Sequence, residues 1–256
     1  MIESEVLGRR IKYFRERERV NQLDLELEIK ASTGTLSRIE NGKINPTKET
    51  VLKISRVLGL NNMEVDYLIG MTAKPATLAE VASAKKEVEK YFKGKVLSYL
   101  IDDRWRLWEI SDFFLKVLNL DRDYIKKHAG TATIEFGTNS KLGIVDRFSP
   151  KYLDQVLYHN LRYFYKEVGF MHDDEYYQKA VKSIMSSPIG QKHWPEIVRN
   201  RDTDYSFRFG RIVYFQVLGF DVPLVYSYEQ LLGNSRFKVV EYVPTNKLLK
   251  LMKNFL

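Results

Sequence analysis

Cysteine is absent from the 256-residue sequence, and several kinds of site are excluded with it. Disulfide bonds, thiol catalysis and cysteine-ligated zinc all require that side chain. Long hydrophobic runs are also lacking, since no stretch of about 18 apolar residues predicts a membrane span. The first stretch, MIESEVLGRRIKYFRERERV, is charged throughout and lacks the apolar centre of a signal peptide. We therefore expect a cytoplasmic protein with no membrane partner.

Patterns that indicate catalysis are lacking as well. The four histidines are His128, His159, His172 and His193. Their spacing does not match a metal site, and the sequence has no glycine-rich phosphate loop and no GxSxG nucleophile elbow. Some repressors cleave themselves at an Ala-Gly bond such as Ala129-Gly130, but no serine here lies in a recognisable nucleophile turn. We expect a protein that is not an enzyme and that has no metal and no resident cofactor.

Aromatic residues are few in the first part of the chain. The sequence contains 14 Phe, 16 Tyr and 3 Trp, and three of these 33 precede residue 71. The chain length predicts two domains. We expect a helical head at residues 1–70, a linker and connector helix at 71–94, and a second domain at 95–256. The bulky residues of the second domain are expected to fill a core or to line a cavity.

The net charge of +8 suggests a nucleic-acid partner, but its distribution does not identify the binding region. Residues 1–70 hold 12 Lys and Arg against 11 Asp and Glu, a net charge of +1. The basic excess therefore lies after residue 70, and motifs rather than charge must identify a DNA-binding part.

Helical periodicity predicts five short helices in the head. They are expected at about 5–18, 22–29, 32–43, 47–58 and 62–69. In the second helix, Leu23, Leu25 and Ile29 are expected to point inward. The third, STGTLSRIENGK, has a thin apolar seam formed by Leu36 and Ile39, and its outer face carries small polar side chains.

The second and third helices are joined by the short segment KAST, a spacing typical of a helix-turn-helix. One helix fits the major groove, where base edges present donors and acceptors. We expect its first turns to place Thr33, Gly34, Ser37 and Arg38 against the bases. Arg38 is expected to reach a guanine or a phosphate, and Thr33 a thymine methyl group. A helical bundle that does not bind DNA is the alternative.

The segment NQLDLELEIKASTGTLSRIENGKINPTKETVLKISRVLGL resembles the Cro/cI-type, or XRE, helix-turn-helix domain over about residues 6–69. The resemblance implies that Gln22 and Asn41 contact phosphates and that Glu40 pairs with Arg15. It also implies a double-stranded DNA operator. Because one short helix reads few base pairs, we expect a homodimer on a palindromic site. The predicted DNA-binding residues are Gln22, Ser32, Thr33, Gly34, Thr35, Ser37, Arg38, Asn41 and Lys43.

Two residues depart from the pattern of that family. Glu26 stands where the family usually has alanine, and Lys30 stands where it usually has glycine at the turn. A left-handed backbone at Lys30 costs about 1 kcal/mol relative to glycine. We expect Glu26 to point outward or to pair with Lys30 or Arg38.

The connector helix is predicted at about 77–93. Leu78, Val81, Val88 and Phe92 fall at the spacing of one helix face, which Lys85 interrupts. This face is expected to lie on the second domain; a short dimer-forming helix is the alternative.

The second domain is predicted to be α+β, with an antiparallel sheet and helices on one face. KVLSYLI and WRLWEI form a hairpin, residues 112–198 are mainly helical, and three or four strands follow from residue 204. A last helix is expected at 245–256.

The stretches YLIDDRWRLWEIS, GQKHWPEIVRNRD and SRFKVVEYVPTN resemble the MmyB-like, PAS-related ligand-binding domain, which commonly follows an XRE head. The resemblance covers about residues 95–245 and implies a PAS-like sheet with a cavity for a fatty-acid-like ligand. His159 or Arg162 is expected to anchor a carboxylate. The predicted ligand-binding residues are Trp108, Phe113, His159, Arg162, Phe164 and Trp194.

The sequence therefore predicts a DNA-binding transcription regulator whose second domain senses a small apolar ligand. A constitutive repressor whose second domain only dimerises is one alternative, and it predicts a filled core. An enzyme with a DNA-binding head is the other, and it predicts converging titratable groups in a pocket.

Overall fold

The computed structural model describes residues 3–72, 74–200, 211–217 and 220–245. The chain divides into two compact units, Met1–Pro75 and Ala76–Leu256. The connector helix therefore belongs to the second unit. The strand predicted at 204–210 and nearly all of the helix predicted at 245–256 lie outside the described residues. None of the described helices combines the length and apolar character that crossing a membrane requires.

The first unit contains the five predicted helices. They are α1 (Ser4–Arg17), α2 (Gln22–Glu28), α3 (Thr35–Glu40), α4 (Lys48–Val57) and α5 (Asn62–Leu68). Asn21, Thr47 and Asn61 cap α2, α4 and α5, because each side chain accepts a hydrogen bond from a backbone N–H in the first turn. Aliphatic side chains make up most of the core of this bundle, and Phe14 and Tyr67 are buried with them.

The inward face of α2 differs from the prediction at one position. Leu25 and Ile29 are buried, but Leu23 is 54% exposed, so the prediction for Leu23 was wrong. The physical reason is helix geometry: residues two positions apart point to nearly opposite sides of a helix. Leu25 faces the core, and Leu23 therefore faces outward.

A close approach between α1 and α3 sets the position of α3. Gly8 lies on the buried side of α1, and a Cβ atom at this position would lie 2.3 Å from the carbonyl oxygen of Ile39. The same atom would lie 2.8 Å from the carbonyl oxygen of Glu40. Glycine at position 8 therefore allows the two helices to touch through their backbones.

The second unit is an α+β domain, as predicted, but helices cover both faces of its sheet rather than one. Its helices are α6 (Leu78–Phe92), α7 (Asp112–Val117), α8 (Arg122–His128), α9 (Thr133–Thr138), α10 (Leu153–Val168), α11 (Glu175–Met185) and α12 (Pro188–Asn200). Its strands are β1 (Ser98–Asp102), β2 (Leu107–Ile110), β3 (Arg211–Val217), β4 (Phe220–Gln230) and β5 (Phe237–Pro244). They form one antiparallel sheet in the order β2-β1-β5-β4-β3.

One face of the sheet is covered by α6. Val81, Ala84, Val88 and Phe92 pack there against a cluster that includes Leu100, Trp108 and Phe237. Ala84 supplies the apolar position next to the interrupting Lys85. Leu78 is 78% exposed and is not part of this packing. The structure thus favours the expectation that the connector helix lies on the second domain.

The other face of the sheet supports the larger core. Phe114 of α7 packs against Phe215 of β3 and Tyr242 of β5, with ring centroids 5.9 and 5.7 Å apart. Aromatic side chains from both layers continue this core toward α8 and α10. Part of the aromatic content of the second unit therefore fills the space between the sheet and its helical layer.

Candidate functional site

The turn between α2 and α3 adopts the shape that glycine would favour. Lys30 has φ of 57°, in the left-handed region. Its N–H donates to the carbonyl oxygen of Leu27 at 3.1 Å, and the N–H of Ala31 donates to that of Glu26 at 2.8 Å. These bonds close the end of α2 in the manner of a Schellman motif. The chain therefore keeps the left-handed turn without glycine, at a cost of about 1 kcal/mol.

Glu26 caps α3 from the neighbouring helix. Its side chain is buried and accepts hydrogen bonds from the N–H groups of Gly34 at 3.1 Å and Leu36 at 2.7 Å. Gly34 precedes α3 and has no side chain with which to satisfy the first N–H groups of that helix. The expected pairing of Glu26 with Lys30 or Arg38 was therefore wrong: its partners are backbone amides.

Arg15 and Glu40 form a buried ion pair, as the resemblance implied. The Nε and Nη2 atoms of Arg15 donate to the two carboxylate oxygens of Glu40 at 2.6 and 3.0 Å. The hydrogen bond with Glu40 and its negative charge hold the pKa of Arg15 above its ordinary value. Gln22 donates from Nε2 to the same carboxylate at 2.7 Å. One carboxylate thus ties α1, the start of α2 and the end of α3 together.

A polar surface results on the outer side of α3. Leu36 and Ile39 are buried, so the opposite side of α3 faces solvent. The nine predicted DNA-binding residues are all exposed or half-buried, and they lie on or beside this surface. Arg38 is exposed and lies with Nε 3.3 Å from the carbonyl oxygen of Gly34. Asn41 is exposed and donates from Nδ2 to the carbonyl oxygen of Ser37 at 2.7 Å.

The helix itself begins later than predicted. Gly34 has φ of 80° and α3 starts at Thr35, so Ser32, Thr33 and Gly34 lie in the preceding turn. A residue in the left-handed region does not continue a right-handed helix. The expectation that Thr33 and Gly34 occupy the first turn of the helix is therefore corrected. Thr35, Ser37 and Arg38 are the exposed or half-buried predicted residues that α3 itself carries.

Comparison with known proteins agrees with this geometry. Residues 11–61 match the family model described as Helix-turn-helix. The matched range runs from within α1 to the residue before α5, and it contains the α2, turn and α3 unit described above. No curated protein matches the chain. The first unit thus contains a helix-turn-helix domain of XRE type, and its class of function is DNA binding by a transcription regulator.

The second unit contains a cavity between the sheet and the helical layer. It has a volume of about 90 Å³, and its wall includes Trp105, Phe148, Asn160, Tyr163 and Tyr226. One water molecule needs only about 10–15 Å³ on this measure. The volume of the cavity is therefore several times larger than the volume that one water molecule needs.

None of the six residues predicted to bind a ligand lines this cavity. Trp108 lies on the opposite face of the sheet, against α6. Its neighbour Leu107 lines the cavity, so alternation along β2 turns Trp108 to the other face. A β-bulge follows, since Leu100 pairs with Glu109 and Ile101 with Leu107, and Ile110 lines the cavity as well. Phe113 is buried in the core beside the cavity wall rather than in it. Trp108 and Phe113 therefore lie outside this cavity, and their role in ligand binding stays a prediction.

The other four predicted residues lie on α10 and α12 but do not line this cavity, and their role in ligand binding stays a prediction. Phe164 and Trp194 pack against each other with ring centroids 6.1 Å apart. His159 and Arg162 lie near the ring of Tyr158, on another side of α10. The following residues, Asn160 and Tyr163, line the cavity together with Leu157. The signal that could have identified them is their spacing of three along one helix face.

The β1–β2 turn connects the cavity wall with the start of the second unit. Trp105, which lines the cavity, has φ of 59° and donates from Nε1 to Glu167 at 3.0 Å. Asp102 is fully buried and accepts hydrogen bonds from Arg106 Nε at 2.6 Å and from Trp108 Nε1 at 2.9 Å. Arg106 also donates to the carbonyl oxygen of Ala76 at 3.2 Å. Burial raises the pKa of Asp102, against the lowering effect of Arg106.

Proposed function

We propose that the protein is a sequence-specific transcription regulator that reads the major groove with α3 and senses a small apolar ligand with its second unit. The observation that carries the DNA-reading part is the bracket formed by Arg15, Gln22 and Glu40. It holds the first three helices together while the exposed side of α3 carries short polar side chains and Arg38.

In this proposal α3 enters the groove and the surrounding residues grip the backbone. Ser37 and Arg38 face base edges, with the arginine fork suited to the N7 and O6 acceptors of guanine. Gln22, Asn41 and Lys43 contact phosphates, which sets the position of α3 without reading the sequence. Two copies of the chain bind the two half-sites of a palindrome, whose centres lie about one helical turn apart.

The experiment that tests sequence-specific reading is selection from a random DNA library with the full chain. We expect rounds of selection to enrich one recurring motif, built as two inverted half-sites. Analytical ultracentrifugation of the protein with that DNA should give two chains per duplex. Enrichment of no motif above the input library would contradict sequence-specific reading.

The sensing part of the proposal is supported by the cavity of about 90 Å³. A second unit that served dimerisation alone is expected to have a filled core, because apolar interiors normally pack to high density. Ligand binding would favour one of two arrangements that differ in DNA affinity, and it shifts their populations only if it binds one of them better.

Native mass spectrometry of protein purified from cells tests the sensing part. We expect a bound small molecule that leaves on denaturation. Addition of the recovered molecule should change the affinity for the selected DNA. If no molecule is bound and no apolar compound raises the unfolding temperature, the second unit serves dimerisation and the sensing proposal is wrong.

A further inference from the structure

The polar groups on the described wall of the cavity are all uncharged. They are the side chains of Tyr99, Trp105, Thr133, Asn160, Tyr163, Tyr226 and Tyr242. Four are phenols that lie next to one another. The ring of Tyr226 is 6.4 Å from that of Tyr163 and 5.9 Å from that of Tyr242, which is 6.0 Å from that of Tyr99.

Three of these phenols, Tyr99, Tyr226 and Tyr242, stay protonated near neutral pH. Burial raises the pKa of Tyr99 and of Tyr226 well above the ordinary value, and it raises the pKa of Tyr242 to about 12. A protonated phenol both donates and accepts a hydrogen bond. The group of tyrosines can therefore serve a ligand hydroxyl, carbonyl or ester oxygen without any change of charge.

Two charged groups beside this wall, Glu167 and Lys238, are paired with each other. Glu167 accepts hydrogen bonds from Trp105 Nε1 at 3.0 Å and from Lys238 Nζ at 2.6 Å. Lys238 is 4% exposed, and its positive charge is matched by that carboxylate. The negative charge of Glu167 contributes to the raised pKa of both Tyr99 and Tyr226. A second anion placed against these phenols would meet the same repulsion.

The volume of the cavity also limits the ligand. An engineered apolar cavity of about 150 Å³ in another protein holds one benzene molecule. The cavity here, at about 90 Å³, suits a short chain rather than a long acyl chain. A long-chain fatty acid would require the wall to open.

We propose that the cavity binds a short, uncharged molecule with one hydrogen-bonding head, such as an alcohol or an ester, and excludes the carboxylate of a fatty acid. The inference rests on the proposed ligand-sensing function and specifies the ligand class of the same site. Transfer of an ionised carboxylate from water is costly, and its charge here would lie beside that of Glu167. A neutral head loses less solvation and is satisfied by the tyrosine hydroxyls.

Trp105 provides a reporter for the test. Replacement of Trp108 and Trp194 by phenylalanine leaves Trp105 as the one tryptophan of the three in the sequence. The full chain with both replacements is titrated with hexanol, with hexanoate and with hexylamine at about pH 8, where hexanoate is ionised. We expect a saturable change of Trp105 fluorescence with hexanol, and binding of hexanoate that is at least about tenfold weaker.

The unaltered chain is measured in parallel by thermal unfolding, because both replaced tryptophans are buried. Tyr226→Phe, which removes one cavity hydroxyl, should weaken hexanol binding several-fold. Tyr228→Phe is the matched control, since Tyr228 does not line the cavity. Hexanol binding in that variant should equal that of the unaltered chain.

The outcomes separate this inference from the function on which it rests. The neutral-ligand assignment is overturned if hexanoate binds as tightly as hexanol at about pH 8. It is also overturned if Tyr226→Phe leaves hexanol binding unchanged. In both cases the sensing function stands. If none of the three probes binds the unaltered chain or the reporter variant, both the assignment and the sensing function are wrong. The DNA-reading proposal does not depend on either result.

Discussion

At the scale of single residues, the head uses unusual side chains to produce an ordinary helix-turn-helix. Lys30 takes the left-handed conformation for which glycine is the easier choice. Glu26 is buried where the family usually has alanine, and its carboxylate satisfies two N–H groups at the start of α3. Because Gly34 cannot cap α3 with a side chain, the two departures from the family pattern have connected roles around one turn.

The role of Glu26 can be measured by substitution. Glu26→Ala restores the usual residue of the family but leaves the N–H groups of Gly34 and Leu36 without their acceptor. We expect the free energy of unfolding of the head to fall by about 1–3 kcal/mol, measured by urea denaturation. Glu26→Gln retains an acceptor oxygen and should lose less. Equal stability of Glu26→Ala and the unaltered chain would show that these hydrogen bonds do not hold α3.

At the scale of secondary-structure elements, the sequence predicts which helices and strands exist better than it predicts which of their side chains face the cavity. The bounds of α4 and α5 agree with the prediction to within one residue, because helical periodicity is a local signal. Strict alternation along β2 would put Leu107 and Ile110 on opposite faces, but a β-bulge adds one residue and both line the cavity. On α10, the predicted His159 and Arg162 each precede a residue that lines the cavity. A helix turns by about 100° per residue, so an error of one position moves a side chain off the site.

The close contact of α1 with α3 leads to a prediction at this scale. Gly8→Ala places a methyl group 2.3 Å from a backbone oxygen of α3, so the helices must move apart. We expect a loss of roughly 1–3 kcal/mol in the free energy of unfolding of the head. DNA affinity should fall as well, since α3 shifts relative to α1. Lys12→Ala, an exposed substitution on the same helix, should change stability by less than about 0.5 kcal/mol.

At the scale of the whole molecule, charge and aromatic content are divided between the two units. The head has a net charge of +1, whereas the whole chain has +8. The electrostatic, sequence-independent affinity of the head for DNA should therefore be modest. In the proposed function, selectivity then depends on the side chains of α3 and on the spacing of two bound copies. The aromatic division between the parts of the chain was predictable from composition. The cavity wall was not, since it combines residues from distant strands and helices.

The buried phenols of the second unit predict how its stability depends on pH. The pKa of Tyr242 is about 12 in the folded chain, whereas an unfolded tyrosine ionises near pH 10. A group whose pKa is raised by folding adds to the free energy of unfolding. This added stability is fully present below the pKa of the unfolded chain and is lost as the pH rises through the pKa of the folded chain. When the pH rises from about 9 to about 11, the free energy of unfolding of the unaltered chain should fall. We expect the fall to be about 1 kcal/mol smaller in Tyr242→Phe, which lacks this phenol. Urea midpoints at both pH values measure this, and an equal loss in both proteins would contradict it.

The central claim is that the exposed side of α3 reads bases while Gln22 only positions the helix. The most direct test is the affinity of three variants for the selected operator and for a set in which each base pair is replaced in turn. Arg38→Ala should weaken binding and remove discrimination at one position of each half-site, worth about 1–3 kcal/mol. Arg38→Lys should retain the charge but lose that discrimination. Gln22→Ala should weaken binding to every DNA in the set by a similar factor. If Arg38→Ala and Gln22→Ala lower affinity equally on all sequences, Arg38 is not a base reader and the account is wrong.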